Sequence, residues 1–291
     1  MNPVKTYQNI NKENEKLSFA ISRMEDIYEK RKGKVDVPHR HNYYTVLIIK
    51  KAKGLHKIDF HNYELAEKQI YFVSPGQVHQ VIEDEKSMGY VMTFSTDFLI
   101  QNSIPLSFIS DLNLFQDYGQ TPPLLAEDPV FQKIFDYSSE VYELFKSDQN
   151  NKLLSIGSFV KLILIQCSNI CTIQNDFTPL DSTKGNLIRS FKLAVEEQYR
   201  REHSTSYYAQ FLNITPDHLN RSVKEKLGKT AKEYIQSRII TEAKRLLFFT
   251  DLTNKEIGYK LGFNEPSNFS AFFKKCTQLS PSKFKKLELN S

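Results

Sequence analysis

Two groups of residues in this chain have the types and spacing to do chemistry. One lies in the C-terminal third. It comprises Asp217, His218, Asn220 and Arg221, interleaved with Leu219 and Val223, then Ser267, Asn268, Ser270 and Ala271, interleaved with Phe269 and Phe273. On a helix, apolar residues four apart share a buried face, so the polar residues between them point outward. An arginine so placed can donate two hydrogen bonds to guanine, an asparagine can bond adenine at two points, and a carboxylate can accept from cytosine. Asn220 and Arg221 are best suited to reading bases; Asp217 either accepts from a base or caps its helix. The short, mostly neutral Ser267, Asn268, Ser270 and Ala271 suit a weaker readout dominated by DNA shape. Lys224, Lys274 and Lys275 suit phosphate oxygens, which position a protein without reading sequence. The other group is His39, His41 and His79, a His-X-His pair with a later histidine, which raises metal ligation as one use.

The elements that must hold the first group are written twice. Residues 208–224 and 257–274 each begin with a short amphipathic helix carrying a small residue, Ala209 or Gly258, three positions before a leucine. A turn follows, then a second helix with Leu219 and Val223, or Phe269 and Phe273, as its inward anchors. A small residue at that point lets two helices approach closely, as a helix-turn-helix unit requires. Thr215 and Pro216 supply a cap and a first helical residue. A helix from about 230 to 249 joins the copies, with Tyr234, Ile235, Ile239, Ile240, Ala243, Leu246 and Leu247 as its buried stripe. One such pattern is weak; two joined by a helix are specific, because internal repeats rarely arise by chance.

Charge supports the same division. Residues 181–291 carry 20 Lys and Arg against 12 Asp and Glu, whereas the preceding 180 residues carry 19 against 22. Only the C-terminal part is therefore suited to a polyanion. The 291 residues suggest two domains. Three widely spread cysteines imply a reducing compartment, and Cys167 and Cys171 read as ordinary buried or half-buried thiols. The N-terminal residues lack the apolar region of a signal peptide. The most apolar run, 160–165, is too short to span a membrane, so a cytoplasmic protein is expected. The sequence offers no catalytic nucleophile, phosphate loop or phosphorylation-receiver pattern.

Residues 1–35 are polar and carry little pattern, but 37–100 read as β-structure. Residues 44–49, 55–60, 69–73, 78–81 and 88–94 form short β-branched or alternating segments, punctuated by Lys53-Gly54 and Ser74-Pro75-Gly76. Such spacing suggests a sandwich or small barrel. Helical periodicity takes over at 128–148 and 151–174, and the second of these helices is apolar over more surface than one sheet would cover. Residues 176–185 have linker composition.

These motifs carry a family resemblance. Residues 205–287 resemble the AraC/XylS regulators of bacterial transcription through the two repeats, Thr230-Ala231-Lys232-Glu233-Tyr234-Ile235, Ala243-Lys244-Arg245-Leu246-Leu247 and Leu279-Ser280-Pro281-Ser282-Lys283-Phe284. Pro38-His39-Arg40-His41, the strands and Pro75-Gly76-Gln77-Val78-His79 resemble, more loosely, the cupin-like sensor domain of that family. Two positions depart from the pattern: Ala271 stands where relatives often have Arg, and Gln278 where they usually have Gly, which Gly228 keeps in the first copy.

The resemblance implies an α+β multidomain chain: a cupin-like β-barrel or sandwich with a helical dimerisation segment at 1–175, a linker at 176–185, and an all-α double helix-turn-helix domain at 186–291. It implies double-stranded operator or promoter DNA as partner, a small-molecule effector, a second copy of the chain, and RNA polymerase where the regulator activates. It supports Asp217, Asn220 and Arg221 as groove-facing. In cupin enzymes a Glu follows the His pair; here the resembling position is Thr45, and only Thr, Val, Leu and Ile follow until Lys50. No catalytic metal or cofactor is expected, although a two- or three-His site stays open. His39, His41 and His79, with Tyr44, are expected to line an effector pocket. Two alternatives are a metal-dependent cupin enzyme fused to a DNA-targeting module, which stoichiometric iron or manganese would reveal, and an architectural DNA binder with little sequence discrimination.

Overall fold

The alternation of the first half builds two five-stranded sheets. The computed structural model describes residues 5–7, 18–115, 122–171 and 183–289. The chain divides into two compact units, one of residues 5–175 and one formed chiefly by 176–291. The expected linker lies largely outside the described residues.

In the first unit the strands are β1 (Lys5–Tyr7), β2 (Phe19–Arg23), β3 (His39–His41), β4 (Tyr44–Lys51), β5 (Gly54–Ile58), β6 (His61–Leu65), β7 (Gln69–Val73), β8 (Val78–Glu83), β9 (Met88–Phe94) and β10 (Leu124–Leu125). The helices are α1 (Met24–Lys30), α2 (Thr96–Gln101), α3 (Leu106–Asp111), α4 (Val130–Lys146) and α5 (Lys152–Ile170). One sheet runs β1-β3-β8-β5-β6 and the other β10-β7-β4-β9-β2. Side chains alternate along a strand, so β4 feeds two cores. Leu47 and Ile49 join Ile58, Tyr71, Val73 and Val81 between the sheets. Val46 and Ile48 join Phe72, Met92, Phe98, Phe131, Ile156 and Val160 under the helices.

Three sequence expectations change here. Residues 19–30, read as patternless, form β2 and α1, and Phe19 and Ile21 are core residues. The helix expected to reach 174 ends at Ile170. By length and composition α5 could also cross a membrane, which the short run at 160–165 did not suggest. Its Ile156, Val160, Ile163, Leu164 and Cys167 are instead buried in the helix-side core, while Leu153, Leu154 and Leu162 are exposed.

The second unit is helical: α6 (Thr183–Gln198), α7 (Thr205–Phe211), α8 (Pro216–Leu227), α9 (Ala231–Phe249), α10 (Asn254–Lys260), α11 (Pro266–Thr277) and α12 (Pro281–Leu289). Its first helix begins three residues before the expected Asn186. Helix α9 touches all six others and starts with a capping box in which Thr230 and Glu233 satisfy each other's backbone N–H. Charge is buried along it. The Arg238 Nε donates to both oxygens of Glu196 at 2.8 and 2.9 Å, tying α9 to α6. Glu242 lies within ion-pair distance of Arg200, Arg238 and Arg245.

Candidate nucleic-acid interface and ligand cavity

Each repeat aims its second helix by the same devices. Tyr208, Ala209, Leu219 and Val223 are fully buried in the first copy, and Ile257, Phe269 and Phe273 in the second. A Cβ added at Gly258 would sit 3.1 Å from the Phe269 Cβ, so a small residue is what permits α10 and α11 to pack so closely. Gly262, at φ 81°, ends α10 where a Cβ would meet the Arg200 carbonyl at 2.4 Å. Thr215 Oγ1 accepts from the His218 N–H at 3.2 Å, and Pro216 takes the first turn of α8. The cap of α8 is therefore Thr215, which leaves Asp217 in the first turn with its charge suited to the helix dipole. Helix α8 ends at Gly228, φ 68°, and α11 at Gln278, φ 63°. A side chain at Gly228 would meet nothing within 4 Å, so glycine serves only the backbone there. Gln278 holds the same left-handed conformation at a cost on the order of 1 kcal/mol.

Asp217, His218, Arg221 and Lys224 are exposed on α8, and Ser267, Asn268, Ala271, Lys274 and Lys275 on α11. Two expected base readers sit differently. Asn220 is half-buried, and its Oδ1 accepts from the Ala231 N–H at 3.2 Å. That acceptor is what two-point adenine recognition needs, so Asn220 acts as a bridge from α8 to the start of α9. Ser270 is half-buried at the matching position of α11. There the residue corresponding to Ala231 is Pro281, which has no N–H to satisfy. The acceptor and its donor change together between the copies.

The first unit holds a cavity of about 320 Å³ lined by residues including Arg31, Asp36, His39, His41, Thr45, His79 and Glu83. Register explains how the histidines meet: His39 on β3 lies opposite His79 on β8, and His41 follows two residues along the same strand. The Nε2 atoms of His41 and His79 are 2.9 Å apart. Two carbonyls orient the first pair: His39 Nδ1 donates to Val37 O at 2.8 Å and His41 Nδ1 to Tyr43 O at 3.2 Å. Behind them, His56 Nε2 bonds His79 Nδ1 at 3.1 Å. Burial pushes His41 down to about 3, with His39 adding to the effect. It also brings His56 to about 3 and His79 well below its usual range, so these three rings, His41, His56 and His79, are neutral near pH 7. At the wall, Arg31 pairs with Glu83 at 3.1 Å and Asp36 at 3.3 Å.

Tyr44 is a correction. It points to the helix-side core, stacked on Phe94 at 5.5 Å and edge-on to Phe115 at 4.9 Å. Its neighbours Tyr43 and Thr45 line the cavity instead. Because residues 45–49 are buried on both faces of β4, alternation in the sequence could not say which side was the cavity. His56 was also missed; its position opposite Val81, two residues from the Ile58–His79 pair, is visible only once β5 and β8 are in register.

Comparisons with known proteins cover both units. A family model for an AraC-like ligand binding domain matches residues 28–140, and one for a helix-turn-helix domain matches 208–287. The HTH-type transcriptional activator RhaS of Pectobacterium carotovorum subsp. carotovorum (strain PC1) is 22% identical over 247 residues, covering 84% of this chain and 85% of the relative. RhaS of Escherichia coli O1:K1 / APEC is 22% identical over 262 residues, covering 87% and 89%. Among solved structures, ToxT from Vibrio cholerae aligns over 93% of this chain and 99% of its own, with 18% identity and a TM-score of 0.43.

Proposed function

The chain belongs to the AraC/XylS family of transcription regulators, and on that premise we propose how it divides the work of a sequence-specific, effector-responsive regulator. The exposed row on α8 reads base edges: Arg221 bonds guanine, with Asp217 and His218 beside it. Helix α11 presents Ser267, Asn268 and Ala271, which are too short for long-reach contacts, so it contributes through shape and close approach. Lys224, Lys274 and Lys275 hold phosphates. With both second helices fixed to α9, one copy reads two major-groove segments roughly one helical turn apart. The single observation that carries this reading is the matched exposure of the two helices outside the same pair of buried anchors.

The cavity takes a small polar effector, held by Arg31 and the histidines. The exposed Leu153, Leu154 and Leu162 of α5 meet a second copy of the chain, and the regulator works in the cytoplasm as an activator that engages RNA polymerase, as its RhaS relatives are named activators. An effector changes DNA binding only if it binds the two DNA-competence states with different affinity. In-vitro selection from random duplexes tests the core of this reading. The expected product has two conserved segments about one turn apart, bound at least ~10³-fold above random DNA; selection that enriches no sequence refutes it.

A further inference from the structure

Three buried imidazoles, His41, His56 and His79, and the half-buried His39 are arranged as a ligand set with its supports. One ring nitrogen from each of His39, His41 and His79 lies within 4.8 Å of the other two. Two of the three rings are fixed through their far nitrogen by a carbonyl, and a carbonyl only accepts. His39 and His41 therefore carry their proton on Nδ1 and leave the Nε2 lone pair bare. The third ring, His79, is held through Nδ1 by His56, which can accept its proton. This is the outer-shell pattern that orients metal-bound histidines. With that tautomer the Nε2 atoms of His41 and His79 face each other at 2.9 Å with a proton or an ion to share; in the other neutral tautomer His56 donates to His79 Nδ1 and His79 Nε2–H donates to His41. A proton would serve that pair alone. A metal ion serves the third ring as well.

We propose that His39, His41 and His79 form a three-nitrogen site for a divalent transition-metal ion, zinc in particular, with a free coordination position facing the cavity. Metal–nitrogen bonds of 2.0–2.1 Å put tetrahedral ligands about 3.3 Å apart, within a few tenths of the His41–His79 spacing. His39 closes the rest by turning at the cavity wall, where its side chain is 14% exposed. Three imidazole nitrogens with no carboxylate among them disfavour Mg²⁺ and Ca²⁺, which need oxygen ligands. Thr45 Oγ1, 3.4 Å from His41 Nε2, adds only a neutral oxygen. The ion keeps its full double charge and so offers an effector with an oxygen or nitrogen donor a direct bond. That last step rests on the effector reading above; the metal site itself does not.

The test uses the full chain without an affinity tag, stripped with chelator and titrated with Co²⁺ and then Zn²⁺. We expect a visible Co²⁺ band that saturates at one ion per chain and is bleached by Zn²⁺. His39→Ala should abolish it while circular dichroism and melting temperature stay near wild type. His56→Ala should weaken binding about 10–100-fold, and His61→Ala should leave it unchanged. No one-to-one band, or a band that survives in both His39→Ala and His79→Ala, overturns the site; if His79→Ala fails to fold, His39→Ala decides alone. The readout involves no DNA, so a negative result leaves the regulator reading standing.

Discussion

Glu242→Ala tests how the DNA-binding unit is held together. The Glu242 carboxylate lies 3.2 Å from Arg200 Nη2 and 3.6 Å from both Arg238 Nη1 and Arg245 Nη1. The side chains of Glu242, Arg238 and Arg245 are only 8%, 7% and 1% exposed. Removing one partner from a buried ionic group costs about 3–5 kcal/mol, because the remaining charges stay desolvated. A domain of this size has about 5–15 kcal/mol in all, and each kcal/mol moves its melting temperature by roughly 4–8 °C. The C-terminal transition should therefore fall by at least about 12 °C. Glu242→Gln, which keeps the shape and one acceptor, should fall less. Calorimetry of the full chain can follow the two units separately, and only the C-terminal transition should move. Below that transition the alanine variant should still bind DNA, since Glu242 is not on the exposed faces of α8 or α11. A C-terminal transition within about 3 °C of wild type would refute the account of α9 as the charged hub of the unit.

Arg221→Ala should cost about 1–3 kcal/mol on the selected site and relax preference at one base pair. Asn220→Ala should lower stability by about 1 kcal/mol through the lost bond to Ala231 while leaving base preference unchanged; repeating the selection with both variants checks the pair. Gln278→Gly relieves about 1–2 kcal/mol of left-handed strain and loses about 0.4–1 kcal/mol to the freer unfolded chain. A rise of a few degrees in the C-terminal melting temperature is expected, and a fall would show that the Gln278 side chain makes a stabilising contact. His203 donates from Nε2 to the Leu261 carbonyl, and burial lowers its pKa below the usual 6.5. The unfolded chain then takes up the proton first as pH drops. Stability of this unit should therefore decline on acidification below about 6.5, and His203→Asn should flatten that decline in melts at pH 7.5 and 5.5.

Much of this was legible in the sequence, and the exceptions share a cause. The strands at 69–73 and 88–94 follow from their β-branched and aromatic residues, and the duplicated helices and their four anchors from local periodicity, because each helix pair buries its anchors against a neighbour close in sequence. Gln278 was legible too, since the repeat itself shows what the position requires. Tyr44, Asn220, His56 and the Arg238–Glu242–Arg245 group were not. Tyr44 sits at the edge of a run buried on both sides, so period two carries no sign of direction. Asn220 takes its partner from the next helix, and His56 takes His79 from another strand. Arg238, Glu242 and Arg245 have the spacing of an exposed salt-bridged face; only the ring of six helices around α9 buries them. Local chemistry is written in the order of residues, whereas a polar group's partner across the fold is not.

The duplication acquires a sharper meaning from the polar bonds. Two copies of one scaffold could drift apart only where each change kept every buried polar group satisfied. The pair Asn220 and Ala231 in the first copy corresponds to Ser270 and Pro281 in the second, so the loss of the amide acceptor accompanies the loss of the N–H that used it. Freed of that bond, α11 keeps its place through aromatic packing: Phe269 and Phe273 pack against Phe263 and Phe284 at 5.6 Å each. The first copy is fixed by a polar bridge next to its exposed arginine, and the second by an aromatic stack beneath short exposed side chains. On the proposed reading, in which α8 presents Arg221 to one base edge, its rotation needs to be fixed at that turn, which a directional hydrogen bond does better than packing alone. A helix that approaches the duplex with serine and alanine can tolerate more freedom about its axis. The asymmetry in the exposed residues and the asymmetry in the internal fastening therefore point to the same division between reading and holding.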